Sequence, residues 1–242
     1  MIRGLSVLLV FSAFIWASLA ASGHAQSNPF DRLTGGENGR VQTAVWYERA
    51  DRGGRFIFDR SASPALIWPE GGREVYAVYS NRASGGGEVW MTDTDRALLR
   101  FSSLGGATFF PPDKPDGVIA EELGSAHTLA ANPASSTELQ GAVRTMADTL
   151  ARLSRHDVTA EVVERNPSEN GYLADTAALV SLGAERAGRN ALRDLRSVRI
   201  GVGDHADASF ADGVLTVSVA PQRGYAGRPS SDYIRRVLER GF

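Results

Sequence analysis

Hydrophobic and polar positions change their period near the middle of the chain. From about Val41 to Glu121 the apolar residues fall in short runs: Thr43 to Glu48, Arg55 to Asp59, Glu74 to Ser80, Glu88 to Thr92, Ala97 to Ser102 and Thr108 to Pro111. Runs of this length, separated by Gly53-Gly54, Gly71-Gly72, Gly85-Gly86-Gly87 and Gly105-Gly106, predict β-strands joined by turns. Trp46, Trp68 and Trp90 lie in this half, where they read first as core volume and second as a surface on which sugars or bases could stack.

Gly124 to Ser136 is a stretch of small residues, and beyond it the period lengthens. Leu139, Val143, Met146, Leu150 and Leu153 recur at steps of four and three, which puts them on one helix stripe with Ser136 as its N-cap. A β-like Val158 to Val163 follows, then an Ala-rich helix from Tyr172 to Ala187 whose Gly183 and Ala184 admit a close neighbour. A short helix is expected around Ala191 to Leu195. Val198, Ile200 and Val202 alternate, as do Leu215, Val217 and Val219, and Asp212-Gly213 between strand-like flanks is a hairpin signal. Tyr233 to Leu238 returns to helical spacing.

The expected fold class is therefore α+β: a β-rich part at 41–121, a linker at 122–136, and an α+β part at 137–242 with helices on a small antiparallel sheet, in the order α-β-α-α-β-β-α.

The first residues have a different character. Arg3 precedes an apolar run of 17 residues, Leu5 to Ala21, followed by Gly23-His24-Ala25. This is the pattern of a secretory signal peptide over residues 1–25, cleaved before Gln26, with a second cut possible after Ala20 and an uncleaved anchor as the other reading. A periplasmic or secreted protein is expected, with no transmembrane segment after signal removal. Because the chain has no cysteine, disulfides, thiolate metal sites, a cysteine nucleophile and a lipidated cysteine are all excluded. The terminal Phe242 would suit an outer-membrane barrel, but the helical spacing before it does not.

With 242 residues, 43% hydrophobic and 22% charged, the chain is globular in composition. Its formal charge of −2 sets aside a strongly basic nucleic-acid binder, so no nucleic acid is expected as a partner. Lys114 is the sole lysine among 26 basic residues. That reads first as base-composition bias and second as a preference for the bidentate anion contacts that only arginine makes.

Gly54-Arg-Phe-Ile-Phe-Asp-Arg-Ser61, Ala97-Leu-Leu-Arg-Phe101 with Leu104-Gly-Gly-Ala-Thr-Phe-Phe110, Gly171-Tyr-Leu-Ala-Asp175 and Gly227-Arg-Pro-Ser-Ser231 give the chain a further identity. Over nearly its whole mature length it resembles an uncharacterised family of secreted bacterial proteins, a domain of unknown function. The resemblance implies no activity, cofactor or catalytic residue.

Reactive groups are sparse. Asp204, His205 and Asp207 cluster, but no second ligand segment completes a metal set, so a polar hairpin approach is expected and neither metal nor cofactor. His156 is placed to interact with the negative end of the helix before it. Gly-x-Ser-x-Gly and phosphate-loop patterns are absent, so no catalytic residue is assigned. Candidate ligand-binding residues are Arg223, Arg228, Ser230 and Ser231, in a Gly-containing loop leading into the last helix. There, free backbone N–H groups and arginines suit a small anion, although Asp232 competes for the same position and simple capping is the other reading. The expected function is a non-enzymatic binding or interaction protein of the cell envelope, its partner an envelope protein or a small ligand. The alternative is a periplasmic hydrolase with its site between the two halves.

Overall fold

All six strands expected in the N-terminal half form, and two more close them into a barrel. The computed structural model describes residues 44–163 and 166–241, so the signal segment expected at 1–25 lies outside the described residues. The strands are β1 (Ala44–Arg49), β2 (Arg55–Asp59), β3 (Ala65–Pro69), β4 (Tyr76–Arg82), β5 (Gly87–Met91), β6 (Ala97–Ser102), β7 (Ala107–Phe109) and β8 (Val118–Ser125). Each pairs antiparallel with the next, and β1 also pairs with β8, which leaves no free edge. Sequence reading does not find β3 or β8. Pro64 and Pro69 bracket β3 and make it look like a turn, while β8 passes from Val118-Ile119-Ala120 into Glu121-Glu122. A closing strand needs only its inward positions apolar, and here Ala120 is buried while Ile119 is exposed. β8 also carries the barrel on to Ser125, over residues that the small-residue pattern assigns to a linker.

The barrel interior is filled with rings. Phe56 stacks on Phe109 with centroids 4.1 Å apart and on Tyr47 at 5.3 Å, and Phe58 meets Trp90 edge to face at 5.0 Å. Trp90 is thus core, as expected. Trp46 and Trp68 flank Ile57 across three strands on the opposite, outer face, with their rings 6.4 Å apart.

The C-terminal part opens with helix α1 (Ser136–Ser154), whose predicted stripe buries Leu139, Met146 and Leu150 completely. Its N-cap is Ser135, one residue before the expected Ser136, because Glu138 at N3 can then accept a hydrogen bond from the Ser135 N–H. After β9 (Thr159–Val163) comes α2 (Asn170–Ala191), interrupted at Gly188, so the short helix expected at 191–195 is only the end of α2 and a turn. β10 (Ser197–Val202), β11 (Asp207–Ala211), β12 (Val214–Val219) and α3 (Ser231–Arg240) complete the chain.

The expected antiparallel sheet is corrected here. Its order is β11-β12-β10-β9, and only β11–β12 is antiparallel, whereas β12–β10 and β10–β9 are parallel. Two connections cause this. Helix α2 carries the chain back between β9 and β10, and β11 does the same between β10 and β12 from the outer edge, so each next strand starts from the same end. The Asp212-Gly213 hairpin forms as expected, both residues at positive φ. Gly183 lets α3 approach α2, since a Cβ there would lie 2.8 Å from the Ser231 carbonyl oxygen and 2.9 Å from Ile234. Barrel and α/β layer belong to one compact unit.

Candidate functional site

One rim of the barrel meets α2, α3 and the 3₁₀ segment Pro221–Gly227, and this seam is polar. Before β4 the chain supplies Arg73, Glu74 and the Val75 carbonyl; the β5–β6 turn supplies Asp93, Thr94 and Arg96. Glu74 is 3% exposed, and its carboxylate accepts hydrogen bonds from the Ser231 backbone N–H at 2.9 Å and from the Ser231 hydroxyl. Asp93 accepts from the Ser230 N–H at 2.8 Å. The free N–H groups that open α3 therefore point at carboxylates of the barrel, which answer the positive end of that helix from within the chain.

Arg228 is buried by the same docking. Its Nη2 donates to the Val75 carbonyl at 2.8 Å, and its Nε lies 2.7 Å from Asp175 Oδ2 on α2. Arg186 bridges Glu74 at 3.5 Å, Asp232 at 3.2 Å and the Ser231 hydroxyl. Arg236 donates to the Thr94 carbonyl at 2.7 Å, and Arg73 pairs with Glu185 at 2.7 Å. Burial pushes the Glu74 and Asp175 carboxyls up, against the pull of nearby arginines, because desolvation disfavours the charged form. Exposed carboxylates behave in the opposite way: hydrogen bonds from Arg49 at the end of β1 hold Asp51 and Asp113 below their ordinary range.

Beside this network lies a cavity of about 140 Å³ between β4 and the chain leading into α3. Rings of Tyr76, Tyr79, Tyr225 and Tyr233 line it, with Arg223 in its wall beside the committed Glu74, Asp93 and Arg228. Two of these hydroxyls are already engaged: Tyr225 donates to the Ala130 carbonyl at 3.1 Å, and Tyr233 to Asp207 at 2.9 Å. The rings therefore present mostly apolar surface.

Of the four residues singled out from sequence, Arg223, Arg228 and Ser230 come together in this wall, while Ser231 is sealed behind it at 0% exposure. Ser230 caps α3, its hydroxyl accepting from the Tyr233 N–H at 3.0 Å. Arg228 is committed to Asp175 and Val75, whereas Arg223 is exposed and has no ion-pair partner among the described residues. Tyr225 belongs to the same loop, but Tyr76, Tyr79, Tyr233 and Glu74 were not foreseen. Tyr76 and Tyr79 stand some 150 positions before Tyr225 and Tyr233, and no local pattern links them.

The other sequence candidates lie elsewhere. The His205 carbonyl accepts from Ser218, and among the described residues no three His, Cys, Asp or Glu are grouped so as to hold a metal ion. After α1, Arg155 turns the chain with φ 63, and the His156 imidazole contacts the Leu195 carbonyl and Arg196.

Compared with known proteins, residues 29–238 match a family described as Domain of unknown function (DUF4908). No curated protein and no solved structure matches.

Proposed function

The chain belongs to the DUF4908 family, whose description assigns no activity, and from that premise we propose that it is an exported, non-enzymatic binding protein of the cell envelope. Its ligand is a compact, ring-bearing carboxylate, held in the tyrosine-lined cavity at the seam. The observation that carries this reading is the pairing of four tyrosine rings with one uncommitted arginine, Arg223, in a single cavity wall. A volume of about 140 Å³ is on the scale of the roughly 150 Å³ that accommodates benzene. Rings stack on a ring, and a guanidinium at the wall complements a carboxylate.

Binding is favoured over hydrolysis because Ser231, the serine whose hydroxyl meets a carboxylate in the seam, is fully buried between Glu74 and Arg186 and is absent from the cavity wall, while the Ser230 hydroxyl in that wall caps α3. A nucleophile must reach its substrate. Export rests on the sequence alone, on Arg3, the apolar run and Gly23-His24-Ala25.

Titration of the purified chain with benzoate, followed by tyrosine fluorescence and by NMR, tests the site. Saturable binding weakened about tenfold or more by Arg223→Ala, and weakened also by Tyr79→Ala, is expected. A linear, unsaturable response, or unchanged affinity in both variants, would overturn it. Export is tested by intact mass after cell fractionation: a periplasmic species starting at Gln26 is expected, and a full-length species kept with the membranes would refute it.

A further inference from the structure

A second cleft, sharing no lining residue with the tyrosine cavity, opens on the seam between the β5–β6 turn, the chain after β7, and helices α2 and α3. It measures about 580 Å³. Four arginines line it: Arg96 from the turn, Arg186 from α2, and Arg235 and Arg236 from α3. Asp232 is the single carboxylate in its wall, and three of those guanidiniums share it, Arg96 at 3.1 Å, Arg186 at 3.2 Å and Arg235 at 3.9 Å.

One carboxylate cannot neutralise three cations, and each guanidinium brings five donors against its few lone pairs. Glu74 takes part of Arg186, and Glu239 takes Nη1 of Arg235 at 2.6 Å, but a positive excess remains. The hydrogen bonding is incomplete as well. Arg96 Nε and Nη2 are buried without a hydrogen-bond partner, so the Asp232 contact is one of charge alone, and the guanidinium lies over the ring of Tyr76 at 5.3 Å. Such a group costs free energy unless another charge compensates it. The opposite wall is of another kind, made by Phe110 and by Pro111, Pro112 and Pro115.

We propose that this cleft binds an organic phosphomonoester. Its phosphate lies against Arg96, Arg235 and Arg236, and its organic body against Phe110 and the prolines. A phosphomonoester brings close to two negative charges and three acceptor oxygens at neutral pH, which suits several forked donors better than a single carboxylate does. The body is required by shape, since a phosphate ion alone would fill only a small part of 580 Å³ and would leave the proline wall uncovered.

The test is calorimetric titration of the purified chain with phenyl phosphate, with inorganic phosphate, and with sodium chloride at matched ionic strength. Phenyl phosphate should bind saturably and more tightly than inorganic phosphate, and chloride should give no saturable signal. Arg235→Gln and Arg236→Gln should each weaken phenyl phosphate about tenfold or more, whereas Arg199→Ala, in the exposed pair with Glu161 on β9 and in neither cavity, should leave it unchanged. Arg235 is partly exposed and its variant is expected to fold; unliganded melting curves check this for both. NMR shift changes on the wild-type chain provide a readout independent of the variants, and they should centre on Arg96 and Phe110. Equal affinity for the two phosphates would overturn the organic body. A chloride response matching phenyl phosphate, shift changes elsewhere, or unchanged affinity in folded Arg235→Gln would overturn the site itself.

Discussion

Inside the barrel Phe56, Phe58 and Phe109 meet other rings, while at its rim Glu74, Asp93 and Arg96 meet Arg186, Ser230 and Asp232 across a polar seam. Both regions bury side chains, by different physics. Burying rings is favourable in proportion to the area removed from water and asks little of orientation. Burying carboxylates and guanidiniums is unfavourable unless each finds partners in a fixed geometry. The barrel interior therefore supplies stability, and the seam supplies a defined arrangement of halves. Both cavities lie along the seam, where fixed polar geometry leaves gaps that close-packed rings do not.

Variants can break this contrast, starting where the effect is largest. Phe56→Ala removes a fully buried ring stacked on both sides, and urea unfolding should register a loss of about 4 kcal/mol. A loss below about 1 kcal/mol would mean that the barrel interior repacks freely. Glu74→Ala leaves the Ser231 N–H and hydroxyl without their acceptor, and should cost about 2 kcal/mol in the same measurement. Ser230→Ala deletes only the cap of α3 and should cost about 1 kcal/mol. If it costs more than Glu74→Ala, the seam is held by capping and not by the buried carboxylate.

The pH dependence sharpens the contrast further, because the two kinds of carboxylate give opposite signs. The pKa of Glu74 is raised in the folded state, so its favourable contribution is full below its ordinary range and is lost as pH rises through the folded value. Glu74→Gln imitates the protonated form, and thermal melts should show it gaining on the wild type as pH climbs from 4 to 7. The groups facing Glu74 are Ser231, Tyr76, Arg186 and Arg228. Asp113 is lowered by Arg49, so its contribution is present above its ordinary range and is lost as pH falls through the folded value. The deficit of Asp113→Asn should therefore be constant at neutral pH and shrink below about pH 4. Parallel slopes in the two variants would remove the distinction between buried and exposed carboxylates. The smallest change is expected from Arg55→Ala, which opens the exposed pair with Glu70 and should leave the melting temperature where it is.

What the sequence determined by itself was local. The period-two runs with glycine dividers give six of the eight barrel strands, the three-four stripe gives α1, Asp212-Gly213 gives its hairpin, and Gly183 gives the close approach of α3. Each follows from neighbours a few residues apart, where backbone preference and the side-chain period act directly. Only the tertiary structure decided what depends on distant partners. Closure of the barrel needs β8 beside β1, some 75 residues earlier, and the parallel pairing of β10 with β9 and β12 depends on how α2 crosses the sheet and on β11 taking its outer edge. The candidate sites are of this second kind. Arg223, Arg228 and Ser230 could be named from the loop before a helix, but Tyr76, Tyr79 and Glu74 join them only when the barrel docks, and Arg96 meets Arg235 and Arg236 only there. The physical reason is that desolvation and charge pairing act through space, so a polar residue's partner is fixed by the packing of the elements that carry it and leaves no period in the chain.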